Sequence, residues 1–449
     1  MANAEPRVRW GLTSRSWVVL AAGLLVREAF SFWTGHPYDF EVWIRTGYEV
    51  AHGTNPYSNF WPAVPNVSFA YLSQTLPAAA YLPFWPALLG AIYRLWEAVG
   101  GGDRFALYFL LKQPGILADI ATAYLLYRLV VRWTGDRRAA AAVLSFWAFF
   151  PYAIAISAIW GQFDSIVVVV LLALLFARSS LERNLVDGVG IFVKWLTVIF
   201  LPLEFLRERG PRRLAVVIAL ALAVVLTVGV FELAGWSFGH LGPLSTSQTH
   251  GGGLGMNYVF LLSLGAVSGP LSRVPFFYAL LPYAWVPGVV IAGILAARWV
   301  RPDDPRAELR AMLLVVTVFL LLRWGLYEQY MVYLFSLVAL DVAAFHPGRR
   351  AFLTFTAVLA GVYLLVNNDL GLRFLGPVNA GVVTYAMAVD ASGTWGFART
   401  VALTLLVIVV TVTLVQWVYT FVRDDPSPEP WILSWIPRIS GTPAAGGTA

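Results

Sequence analysis

Asp39 and Glu41 form a D-x-E pair within HPYDFEVWIRTGYEVAHGTNPYSNF, residues 36 to 60, a stretch that also gathers His36, Arg45, Glu49 and His52. Only 12% of the chain is charged, so this concentration of acid and base stands out. A carboxylate among aromatic and imidazole side chains can take a proton from a hydroxyl as a general base, whereas one merely at an aqueous boundary is solvated. Gln162 and Asp164, in WGQFDSI, are a second candidate group, although Asp164 also suits a helix N-cap. Lys112 and Asp119 lie two helical turns apart on one face and suit an ion pair. Lys194 has no acid close to it in sequence, and a cation inside an apolar segment is fit to hold a phosphate at bilayer depth. Arg323 and Glu328 flank the outer end of a later helix and suit a local ion pair. Asn55 and Tyr57 belong to NPYSNF, a turn signature because Pro56 pushes Asn55 out of the helical region. His240 and His250 lie in a Gly-rich loop, residues 235 to 257, too flexible for a metal site but long enough to carry function. The absence of cysteine excludes disulfides, thiolate metal sites and cysteine nucleophiles, so any metal would need Asp, Glu or His.

The elements that must position these groups are membrane helices. The chain is 59% hydrophobic, with a mean hydropathy of +0.70, against roughly 45–50% apolar residues in soluble domains. Several apolar runs approach the ~20 residues of a spanning helix, and the short alternating strands of a membrane barrel are absent, so the expected fold is an all-α polytopic one. The net charge of +6 comes from arginines in short loops between apolar runs, a pattern of membrane topology rather than nucleic-acid binding. Arg7, Arg9 and Arg15 put the N-terminus in the cytoplasm, and the first apolar run, carrying Arg27 and Glu28, reads as a retained helix.

The arginine distribution also predicts that residues 76 to 98 do not span, because a crossing there would put Arg128, Arg132, Arg137 and Arg138 outside. Residues 35 to 105 then form a long first outer loop, followed by crossings over 106–132, 139–157 and 164–178. VDGVGIFVKWLTVIFLPLEFLRERGPRR, flanked by arginines, reads as a pair of short helices in a re-entrant hairpin, which needs protein or a cavity around it. Helices follow near 213–234, 276–300, 308–326, 328–346, 351–367 and 396–422. This makes about 11–13 transmembrane or re-entrant helices in a single domain, residues 1–423, with a flexible cytoplasmic tail over 424–449. The same topology carries the candidate groups to the outer face.

The order YDFEVW, GTNPY, a proline-broken stretch, KQPGILADIATAYLLYRL, WGQFDSI, FVKWLTVIFLP and YEQYMVYL resembles that of GT-C fold glycosyltransferases over residues 15 to 345. Within them it is most similar to the polyprenyl-phosphate-mannose-dependent mannosyltransferases, such as the first mannosyltransferase of glycosylphosphatidylinositol synthesis and its prokaryotic relatives. The resemblance implies an integral-membrane inverting enzyme that moves a sugar, mannose first among the candidates, from a polyprenyl-phosphate donor to a hydroxyl of a glycolipid, lipid-linked glycan or glycoprotein. It implies that Asp39 is the base and Glu41 the second acid of the motif. Family members commonly carry D-x-D or E-x-D, so D-F-E leaves the metal question open, with no obligatory metal expected. Lys194, helped by Arg323 or Lys112, would steady the departing phosphate, and Glu328, Gln162, Asp164, Asn55, Tyr57 and His250 would line the substrate site. The expected partners are the lipid donor, a glycan or lipid acceptor and membrane lipids, with no nucleic acid. The rival reading is a secondary transporter or lipid-linked sugar flippase, which intramembrane Lys and Asp with broken helices also suit.

Overall fold

In a bilayer every backbone N–H and C=O must be satisfied within the segment itself, and a chain this apolar therefore folds as helix almost throughout. The structure is a computed structural model that describes residues 11–57, 60–69, 76–77, 81–238, 255–262, 280–300 and 304–434. Its sole strand pairing among these residues is a two-residue antiparallel ladder, Phe60–Trp61 with Leu76–Pro77. The first helices are α1 (Ser14–Ser31), α2 (Asp39–Ala51), α3 (Phe84–Ala98), α4 (Arg104–Thr134) and α5 (Arg137–Ala148). α6 (Pro151–Ile154) runs into a π-helical turn, Ala155–Trp160, and is followed by α7 (Asp164–Leu174), α8 (Ser180–Val193), α9 (Leu201–Arg207) and α10 (Ala215–Ala234). Then come α11 (Trp285–Ala297), α12 (Pro305–Leu322), α13 (Met331–Ala344), α14 (Arg350–Asn367), α15 (Ala380–Asp390) and α16 (Gly393–Arg423).

Among the described residues, Arg104–Thr134, Gly210–Ala234, Pro347–Asn367 and Gly393–Arg423 are long and apolar enough to cross a membrane. A fifth span is added if Arg137–Ala148 and Pro151–Trp160, bent by 41°, count as one. These helices mark a membrane protein. α7, α11 and α15 are shorter apolar helices.

Residues 76 to 98 do not form one helix. α3 begins only at Phe84, and its 15 residues reach about 22 Å at ~1.5 Å per residue, short of a ~30 Å hydrocarbon layer. α3 lies along α2, where Gly47 and Gly90 let the backbones close: a Cβ on Gly90 would sit 2.3 Å from Val50. The stretch read as an outer loop is therefore helical over Asp39–Ala51. The hairpin over 180–207 forms as two helical arms meeting at Lys194, which is extended at φ −159°, ψ 121°. Thr197 donates to the Asp187 carbonyl at 3.1 Å, and Gly190 leaves the space that Thr197 fills.

Two expectations about the C-terminal third are corrected. α15 is a helix the hydropathy reading omitted. The tail does not leave the body at residue 424: Asp424, in the left-handed region at φ 57°, binds Arg306 at 2.8 Å and Arg349 at 3.2 Å. Gln416 then holds the chain at Trp431 through a 2.9 Å bond. These contacts offset the ordering cost of a Pro-rich segment, so residues 424–434 are docked.

Candidate active site

Asp39 is the first residue of α2, and the local sequence explains its setting. His36, three residues earlier, accepts the Asp39 backbone N–H at Nδ1 (3.1 Å) and so serves as the cap that Tyr38 lacks. His36 stacks on Trp160 at 4.3 Å and 11°. Burial lowers the pKa of the His36 ring, opposed by the Asp39 charge 3.8 Å away, and the neutral ring keeps Nδ1 as an acceptor.

Trp160 and Gln162 reach Asp39 because the chain changes helical pitch before them. The π-helical turn ends at Gly161, φ 92°, where the Gly161 and Gln162 amides both donate to the Ile156 carbonyl, at 3.2 and 2.8 Å. A Cβ on Gly161 would press on Phe40 and Lys112 at 3.1 and 3.2 Å, so glycine is needed for both conformation and space. The turn aims Trp160 Nε1 (3.0 Å) and Gln162 Nε2 (2.7 Å) at one oxygen of Asp39, Oδ2. Among the described residues nothing donates to Oδ1, and the side chain is 24% exposed. Asp39 thus has one oxygen held by neutral donors and the other open to a ligand.

Beside it Asp164 opens α7, with Phe163 in the cap position, so Asp164 is not an N-cap. Its Oδ1 accepts from Lys194 at 2.7 Å and from Tyr333, while Oδ2, fully buried, has no donor. Lys194 is therefore not the lone cation its sequence neighbourhood suggested, because the hairpin folds it onto an acid 30 residues away. Its ammonium also lies over the rings of Tyr330 (4.7 Å) and Phe163 (4.9 Å).

Arg323 is a buried cation without a carboxylate among the described residues. Among the described residues its guanidinium makes no ion pair; it sits over Tyr330 at 4.1 Å, Trp195 at 5.2 Å and Phe319 at 5.5 Å. Asn257 fixes the chain there by donating to the Arg323 carbonyl at 2.8 Å. The expected Arg323–Glu328 pair does not form. Glu328 accepts from Asn367 at 2.6 Å, and burial, reinforced by the Asp39 charge, pushes its pKa up to about 7. Gln162, which donates to Asp39, stands two residues before Asp164, whose partner Lys194 shares the Tyr330 ring with Arg323, at 4.7 and 4.1 Å, so Asp39, Asp164, Lys194 and Arg323 form one linked group.

Other candidates lie elsewhere. Glu41 points away from Asp39, as residues two apart on a helix must. It is fully buried, paired with Arg45 at 2.8 Å, and accepts the Phe69 amide at 3.0 Å, tying α2 to the segment 60–69. Lys112 does not meet Asp119: it donates to the Ala158 carbonyl at 2.9 Å and to Thr34 Oγ1 at 3.1 Å. Two turns separate the pair by about 10 Å along the axis, and Asp119 is taken by Arg27 at 2.8 Å. Asn55 donates to the Ser237 carbonyl at 3.0 Å, and Tyr57 donates to the Tyr81 carbonyl at 2.9 Å while stacking on Phe231 at 5.4 Å, so both dock the segment after α2 onto the end of α10. His240 and His250 lie outside the described residues.

Sequence reasoning did not single out His36, Trp160, Tyr330, Tyr333 or Asn367 as site groups. His36 had a signal, an acceptor three residues before a first-turn acid, and the tyrosines stand inside YEQYMVYL. Asn367 had none. No protein-family model matches the chain, and no curated protein matches it.

Proposed function

We propose that the chain is an inverting, GT-C-type glycosyltransferase that moves a sugar from a polyprenyl-phosphate donor to an acceptor hydroxyl at the outer membrane face, with mannose the sugar to test first. One observation carries the reading: a carboxylate with a single open oxygen, Asp39 Oδ1, is joined through Gln162, Asp164, Lys194 and Tyr330 to an arginine, Arg323, that lacks a counter-charge among the described residues. A buried guanidinium without an acid suits a phosphate, and its fork matches phosphate oxygens better than an ammonium would. Gln162 Oε1, Asp164 Oδ2 and Gln329 Oε1 are buried acceptors with no donor, as a hydroxyl-rich ligand requires.

In the reaction, Asp39 Oδ1 accepts the acceptor's proton as that oxygen attacks C1 of the sugar. The C1–O bond to the phosphate breaks, and the phosphate departs carrying the electron pair, so the anomeric configuration inverts. Trp160 and Gln162 hold Asp39 in place without neutralising it, since both donate neutral N–H groups. Arg323 takes the role first expected of Lys194 and stabilises the departing charge in a site of low dielectric. Lys194, already bound to Asp164, orients that acid, and Glu41, with its lone pairs engaged, supports the fold of α2. No step requires a metal.

The transporter reading would need a free polar group in mid-membrane. Asp119, inside the span Arg104–Thr134, accepts from Arg27, Trp147 and Ser157, so both of its oxygens are engaged. Radiolabelled transfer from polyprenyl-phosphate mannose by the purified protein tests the proposal. Lack of transfer from this and from the corresponding glucose and arabinose donors would overturn it.

A further inference from the structure

A cavity lies where the C-terminal half of α2, the 64–67 segment, α3 and the start of α4 meet, with a volume of about 270 Å³. It lies beyond the residues assigned above: Tyr48 follows Asp39 by nine positions, about 13.5 Å along the helix at ~1.5 Å per residue. Three aromatic side chains, Tyr48, Tyr93 and Trp96, form its apolar wall, packed edge to face at 5.6 and 5.2 Å. Trp96 Nε1 is already spent on the Asp103 carbonyl at 2.9 Å, which leaves ring carbons toward the cavity. Asn66 and Arg104 supply the polar lining. Asn66 is held in the left-handed region at φ 63°, a conformation that costs energy in a non-glycine residue and presents an exposed amide. Arg104 stacks on Phe105 at 4.9 Å and has no acid partner among the described residues.

We infer that this cavity is a carbohydrate subsite that takes one pyranose ring of the acceptor, a step or more away from the hydroxyl that reacts at Asp39. The identity of the ring as part of an acceptor rests on the glycosyl-transfer reading. The half-buried Tyr48 ring, backed by the buried Tyr93 and Trp96, suits a C–H face of a pyranose, and an amide with a guanidinium suits hydroxyls around its rim. The chemistry disfavours other occupants. A quaternary ammonium would be drawn to the aromatic wall but repelled by Arg104. A polyprenyl chain would leave the amide and guanidinium unpaired, and the volume falls below the ~300–1,000 Å³ of drug-sized ligand pockets.

The chain has no cysteine, so Gly102→Cys, at the cavity rim, provides a unique thiol. Its Cβ would meet only the Gly100 carbonyl at 3.8 Å, so the substitution fits. Maleimide labelling of full-length Gly102→Cys protein in nanodiscs is measured with and without methyl α-mannoside and mannotriose. Labelling should slow several-fold and saturably with sugar, equally in an Asp39→Asn background, and Arg104→Met should abolish the protection. A labelling rate indifferent to both sugars up to their solubility, or protection that survives in both Arg104→Met and Asn66→Gly, would overturn the subsite. The readout needs no turnover, so the two readings fail separately. Transfer without protection sinks the subsite alone, and protection without transfer sinks the enzyme reading alone.

Discussion

Two of the buried charge clusters among the described residues have opposite character. Around Arg27 and Asp119 every group is matched: Arg27 donates to Asp119 (2.8 Å) and to the carbonyls of Gly23 (2.9 Å), Ala148 (2.6 Å) and Trp147 (3.3 Å), while Trp147 and Ser157 complete Asp119 at 2.8 and 2.9 Å. Around Asp164 and Arg323 the matching stops short, with Asp164 Oδ2 lacking a donor and Arg323 lacking an acid among the described residues. A saturated cluster ties helices together, here α1, α4, α5 and the π-helical turn. An unsaturated one, buried at a cost that folding alone does not recover, is where a ligand can complete the pairing. The difference marks the first as a structural polar core and leaves the second as the candidate site.

The closed cluster should show the largest effect. Arg27→Met leaves the Asp119 charge buried and unpaired, a loss of about 3–5 kcal/mol, and Arg27→Met with Asp119→Leu should recover most of it. Thermal unfolding in detergent, followed by tryptophan fluorescence, reads both. A single variant as stable as wild type would mean the cluster is not closed.

Next comes Asp39→Asn, which keeps shape and hydrogen bonding but cannot accept a proton. Sugar transfer should fall by about 100-fold or more at unchanged thermal midpoint. Near wild-type transfer would send the search for the base to Asp164 or Glu328.

Within the open cluster the two cations should behave differently, which sharpens the comparison. Arg323→Gln should lower kcat/KM by about 10- to 100-fold, matching ~1.5–3 kcal/mol for a charged hydrogen bond, with stability nearly intact and Arg323→Lys partly active. Lys194→Ala should lose stability as well as activity, because Asp164 would then keep only Tyr333. Equal stability losses in the two variants would show that Arg323 is structurally paired too.

The smallest effect concerns pH. Glu328, raised from 4.5 to about 7 in the folded chain, keeps its proton there while the unfolded chain has lost it. The folded state therefore binds more protons between those values, and stability should decline as pH rises from about 4.5 to about 7, then level off. Glu328→Gln should flatten that limb of the thermal midpoint, and an unchanged slope would assign the titration elsewhere.

Much of this was legible from residues alone. The helices over 106–132, 213–234, 351–367 and 396–422, and a hairpin of two short helices between arginines, follow from local apolarity and from where Arg, Gly and Pro interrupt it. Asp39 stood out by charge, and Gln162 by sharing a motif with glycine and an aromatic. Glu41, Lys112 and Asn55 were just as conspicuous, yet the fold gives them structural partners. α2 was read as a loop because its short, charged sequence has no membrane period, although packing against α3 makes it helical.

What the sequence determined by itself was therefore the class of the chain and the inventory of its charges, because hydropathy and helix formation act over a few neighbouring residues. Which charges meet was decided only by tertiary structure. Asp119 bonds Arg27, 92 residues away, and not Lys112, seven away; Lys194 finds Asp164; Arg323 finds aromatic rings and, among the described residues, no acid. In a low-dielectric interior a charge must take whatever partner the packing of helices brings within about 3 Å, and that distance is fixed by backbones far apart in the chain.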